Sequence, residues 1–109
     1  MKFAAGMALM GFSLIALATG AVAQTNGDIA NGRAIAERVC GECHSVDGKS
    51  PSPHLQAPTF VVVANSPGRT PTSLRVWFQS PHRSMPDFNL GEQGSEDLVA
   101  YILSLKKSP

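Results

Sequence analysis

The stretch "VCGECHSVDGK", Val39 to Lys49, holds the chain's only two cysteines, Cys40 and Cys43, with His44 directly after the second. Two thiols three residues apart beside an imidazole suit three chemistries: a redox disulfide, part of a zinc site, or covalent attachment of haem. Each needs different surroundings, so the reading of this stretch decides the fold.

A catalytic C-x-x-C sits at the start of a helix within a strand-helix-strand unit. Here the pair comes at the end of a helical pattern, and strands are lacking. A structural bridge is compatible with export, but one of this spacing closes a tiny loop and stabilises little. Zinc would need two further ligands from His44, His54 and His82. Adjacent ligands such as Cys43 and His44 are awkward to place on one tetrahedral ion, and no second C-x-x-C or H-x-x-x-H pair follows. Haem attachment uses every part of the motif. On a helical turn, thiols three residues apart point the same way and reach the two vinyl groups of one porphyrin as thioethers. His44 is then carried beneath the iron as proximal ligand. C-x-x-C-H is the attachment signature of c-type haem.

The N-terminal segment supports that choice. "MKFAAGMALMGFSLIALATGAVAQ" has one early basic residue, Lys2, an uncharged apolar run, and Ala21-Val22-Ala23 before Gln24. This pattern predicts a cleaved signal peptide over residues 1–23 and a mature domain over 24–109. The run is also just long enough to span a bilayer, so a retained anchor is the competing reading. Both readings export the folded part. Cleavage leaves 86 of the 109 residues, and the loss of Lys2 takes the nine basic side chains to eight, equal to the eight acidic ones. A chain without a basic excess shows no nucleic-acid footprint. A domain this small has a limited core and often relies on a disulfide, metal or cofactor.

The remaining pattern is helical. Asp28 reads as the N-cap of a first helix that runs into the cysteine motif, with Ile35 and Val39 one turn apart. Gly32 inside it costs about 1 kcal/mol relative to alanine, which makes sense where another backbone or a flat ring approaches. Residues 45–59 read as loop. "FVVVANS" has strand-forming valines but no evident partner strand, and is read as a short helix. Thr70 and Pro71 open a further helix that puts Leu74, Trp77 and Phe78 on one face and ends at Pro81. Ser95 is expected to cap the last helix, with Glu96 and Asp97 in its first turn and Leu98, Tyr101, Ile102 and Leu105 as its apolar stripe.

With the leader gone, Met85 is the sole methionine of the mature chain. It lies in the loop "HRSMPDF", where Pro86 restricts it to extended geometry. A core gap-filler is the ordinary role of such a residue. A haem, however, needs its open face covered, and Met85 is then the candidate distal ligand, with His82 as rival donor in the same loop.

The ordered pattern "NGRAIAERVCGECHSVDG … APTF … SLRVWFQSPHRSMPDFNLGEQGSEDLVAYILSLK" resembles a short bacterial class I cytochrome c over almost the whole mature chain. The resemblance implies an all-α fold of about four helices and long loops wrapped around one covalently bound haem c. It matches Cys40 and Cys43 to the thioether positions, His44 to the proximal ligand and Met85 to the distal ligand. Pro58 resembles the proline whose carbonyl accepts the proximal histidine's other N–H. Gly32 and Tyr101 match the pair where the first and last helices cross. Trp77 is expected either to donate its indole N–H to a haem propionate or to pack in the core.

Ligation by His and Met fills both axial positions and raises the potential, so the expected function is periplasmic electron transfer without catalysis at the metal. The expected partners are redox donors and acceptors: a dehydrogenase, an oxidase or a respiratory complex. The expected state is a monomer that neither binds nucleic acid nor inserts in the membrane once the leader is cleaved. Two alternatives stay open. One is a fixed haem subunit of a periplasmic enzyme complex; the other is an open-site, ligand-binding or peroxidase-like haem protein.

Overall fold

The computed structural model describes residues 26–107, so the leader and its cleavage point lie outside the described residues. Within them the elements are α1 (Ile29–Ile35), α2 (Phe60–Asn65), α3 (Pro71–Gln79) and α4 (Gly91–Ser104), with no strand. The expected all-α architecture of about four helices and long loops is therefore present.

Asp28 begins α1 as expected: its backbone is extended and its Oδ1 accepts the N–H of Asn31 at 3.0 Å. The helix does not run uniformly into the cysteines. Ala36–Cys40 forms a π-helical turn, closed by the Gly41 N–H donating to the Ala36 carbonyl at 2.9 Å. Widening of this kind recurs at functional sites. Here it leaves Ala36 and Cys40 buried while Glu37 and Arg38 face out.

The packing of α1 against α4 turns on Gly32. A Cβ built there would lie 1.9 Å from the Asp97 carbonyl oxygen and 2.8 Å from the Tyr101 Cβ, so only glycine allows the approach. The expected crossing of Gly32 and Tyr101 is found. Asp97 departs from its expected place in the first turn of the last helix. It lies further along α4, 2% exposed, and binds the start of α1 instead. Its Oδ1 accepts the Asp28 N–H at 2.8 Å and its Oδ2 accepts the Asn31 side-chain amide at 2.6 Å. Gln93 donates to Oδ1 at 2.8 Å. These donors, Asn31 first, hold the Asp97 carboxyl below its ordinary range against the opposing effect of burial.

Helix α4 also begins earlier than expected. Gly91 opens it and Ser95 lies inside it without a capping role. Two glycines in four residues read locally as loop. Gly91 takes a left-handed φ of 69°, and the Asn89 side chain accepts its N–H at 3.2 Å. A Cβ at Gly94 would sit 3.7 Å from Ile35 Cδ1, so this extra turn packs near α1. Val99 and Ala100 are buried along with Leu98, Tyr101 and Ile102, a wider face than the expected stripe, because α1, α2 and α3 all pack on α4.

The valine run forms α2 as expected. Thr59 Oγ1 accepts the Val62 N–H at 3.2 Å, and Phe60 and Ala64 are buried one turn apart. Thr70 and Ser73 cap α3 reciprocally, Oγ1 accepting the Ser73 N–H at 3.1 Å and Ser73 Oγ the Thr70 N–H at 2.9 Å. Pro71 follows the cap and Gln79 ends the helix before Pro81. Leu74 enters the core, and Arg75 reaches across to Glu96 of α4 with both ends of its fork, Nη2 to Oε2 at 2.8 Å. Trp77 does not share Leu74's buried face: it is 47% exposed, so of its two expected roles core packing does not hold.

Candidate functional site

The three residues of the motif are assembled by the end of the first helical segment. The His44 and Cys43 N–H groups both donate to the Cys40 carbonyl, at 2.9 and 3.2 Å. Cys40, Cys43 and His44 therefore share one tight turn. Cys40 is buried and Cys43 exposed, and the two are not joined to each other. Before any attachment, burial pushes the Cys40 thiol up to about 11.

The loop after the motif folds back to frame it. The Ser45 N–H donates to Ser52 Oγ at 2.9 Å, and the Phe60 N–H donates to the Ser45 carbonyl at 2.9 Å. This return brings Pro58 beside the histidine. His44 Nδ1 lies 2.6 Å from the Pro58 carbonyl oxygen, an acceptor that requires the proton on Nδ1 and leaves the Nε2 lone pair free. The imidazole also rests against Phe60, ring centres 5.5 Å apart. Tyr101 steadies the same loop, its hydroxyl donating to the Val46 carbonyl at 2.5 Å.

Beside Cys40 opens a cleft whose walls are largely apolar: Val39, Phe78, Phe88, Leu90 and Leu98. Met85 and His82 line the same cleft, so Met85 and its rival stay side by side. Cys43, His44, Pro58 and Trp77 are not among its lining residues. Trp77 lies against His82, ring centres 4.1 Å apart and planes at 30°. His54 is exposed in its loop, as expected. Among the described residues no three His, Cys, Asp or Glu side chains are grouped to hold a metal ion, and no helix is long and apolar enough to cross a membrane. Sequence reasoning misses Phe88 and Leu90 as walls, because an aperiodic loop gives no sign of which apolar residues border a cleft.

The arrangement fits a flat, apolar ring held by sulfur. One thiol lies at the cleft wall and the other on the same turn. An imidazole with one nitrogen engaged follows, and a thioether lines the cleft.

Comparison with known proteins gives the same direction. A family model described as Cytochrome c matches residues 29–106, most of the chain. Neither the curated proteins nor the solved structures gave a significant match.

Proposed function

This chain belongs to the cytochrome c family, and from that premise we propose that it is an exported, freely diffusing one-electron carrier, with Cys40 and Cys43 as thioether positions and His44 and Met85 as axial ligands. The family binds covalently attached haem c and transfers electrons with it. The bound haem supplies the one-electron Fe(III)/Fe(II) couple; the polypeptide supplies the ligands, the shell and the docking surface.

The observation that carries the reading is the His44–Pro58 hydrogen bond at 2.6 Å, on the turn that bears both thiols. It fixes the tautomer, orients the ring and raises the basicity of Nε2, as outer-shell acceptors do for ligating histidines. Met85 offers a soft sulfur donor, and pairing Met with His raises the potential. His44 and Met85 together would hold the iron and leave no place for a substrate there, which supports a carrier rather than an enzyme. Val39, Phe78, Phe88 and Leu98 give the cleft apolar walls.

The leader pattern over residues 1–23 supports export and a periplasmic carrier. With eight basic and eight acidic residues after residue 23, the mature chain suits brief encounters with dehydrogenases, oxidases or respiratory complexes through small patches. Absorption spectroscopy of the native protein tests the proposal. The oxidised form should show the far-red sulfur-to-iron band, and the reduced form should bind carbon monoxide poorly. Rapid, complete binding of carbon monoxide would refute closed His/Met ligation.

A further inference from the structure

Two side chains able to bind a haem iron line one cleft, Met85 and His82, and they lie three residues apart in one loop. Their supports differ. Pro86 holds Met85 extended, whereas His82 lies against the indole of Trp77, ring centres 4.1 Å apart and planes at 30°. Trp77 is a large apolar side chain that is half exposed, while Leu74, one turn earlier on α3, is fully buried. Core packing therefore does not account for Trp77; its contact with His82 does. The backbone at the end of α3 is closed by Ser80, whose N–H donates to the Trp77 carbonyl at 3.2 Å and whose Oγ donates to the Val76 carbonyl at 2.6 Å. The chain then enters Pro81 and His82 from a set direction.

We propose that Trp77 is a positioning residue that holds the His82 imidazole at the α3 wall of the cleft and so leaves the iron to Met85. The role rests on the His44/Met85 reading above. Without the indole face the imidazole is free to swing from the cleft wall across the cleft, where its neutral nitrogen competes with the thioether. An aromatic pair of this kind biases such an equilibrium by roughly two- to tenfold.

The test uses holoprotein and electron paramagnetic resonance of the oxidised state. In wild type, a sulfur-to-iron band must be present and must vanish in Met85→Ala; if either fails, the Met85 assignment falls and this role with it. In the Met85→Ala background, adding Trp77→Ala should raise the ratio of low-spin bis-imidazole iron to high-spin iron roughly two- to tenfold. Trp77→Phe, which keeps an aromatic face, should leave the ratio near that of Met85→Ala. Adding His82→Ala to Met85→Ala/Trp77→Ala should abolish the low-spin signal. Should Trp77→Ala give no holoprotein, Trp77→Leu keeps the bulk without the ring and is read the same way. With Met85 established, an unchanged ratio, or a rise that persists without His82, would overturn the positioning role alone.

Discussion

Gly32→Ala tests the helix crossing that holds the first helical segment, and with it the cysteine turn, on α4. The added Cβ would sit 1.9 Å from the Asp97 carbonyl oxygen and 2.5 Å from its carbon, both backbone atoms that cannot rotate away. Reaching an ordinary contact distance requires the helices to part by roughly 1.5 Å. That movement breaks the Asp28 and Asn31 hydrogen bonds to Asp97, now 2.8 and 2.6 Å. Overpacking costs about 1–3 kcal/mol, and each hydrogen bond lost to the Asp97 carboxylate about 1.5–3 kcal/mol more. Alanine's better helix propensity returns about 1 kcal/mol. The net loss is about 3 kcal/mol or more, a large share of the 5–15 kcal/mol typical of a domain. Guanidinium unfolding of the holoprotein at neutral pH, followed by circular dichroism, measures it. A variant within about 1 kcal/mol of wild type, or more stable as propensity alone predicts, would refute the close crossing.

Tyr101→Phe should cost about 1–3 kcal/mol, because the Val46 carbonyl loses its buried donor; no change in denaturation midpoint would count against that bond. The Asp97 carboxyl is held below its ordinary range, so its contribution is complete above the unfolded value of about 4 and is lost as pH falls through the lower folded value. Asp97→Asn should therefore destabilise strongly at pH 6 and by less near the acid limit; a gap that stays constant with pH would exclude the linkage. Cys43→Ala should leave one thioether at most and sharply lower holoprotein yield, with the reduced haem band shifted to longer wavelength; wild-type yield and spectrum would remove Cys43 from the attachment.

How far the sequence could be read depended on whether a residue's role was local. Asp28, Thr70 and Pro71 act on their own helix ends, and each is found where its side-chain chemistry puts it. Cys40, Cys43 and His44 share a turn because their spacing is helical. Gly32 was legible as a cost without a local benefit. Roles set by distant partners were not legible. Nothing in "AERVC" announces a π turn, Gly91 and Gly94 look like loop until Ile35 packs near them, and Asp97 looks like a first-turn acid until α1 is laid against it. Trp77 had the right period for a core face, but its ring lies against His82 outside that face. The pairing of Arg75 with Glu96 spans 21 residues and carries no local signature.

The central claim is that this polypeptide carries one porphyrin stitched on through two sulfurs. Intact mass spectrometry of the secreted native protein, unfolded in acid, tests it most directly. The account predicts a single species, the chain from Gln24 onward plus one haem that unfolding does not remove. A mass equal to the polypeptide alone, with its thiols free or joined to each other, would contradict it.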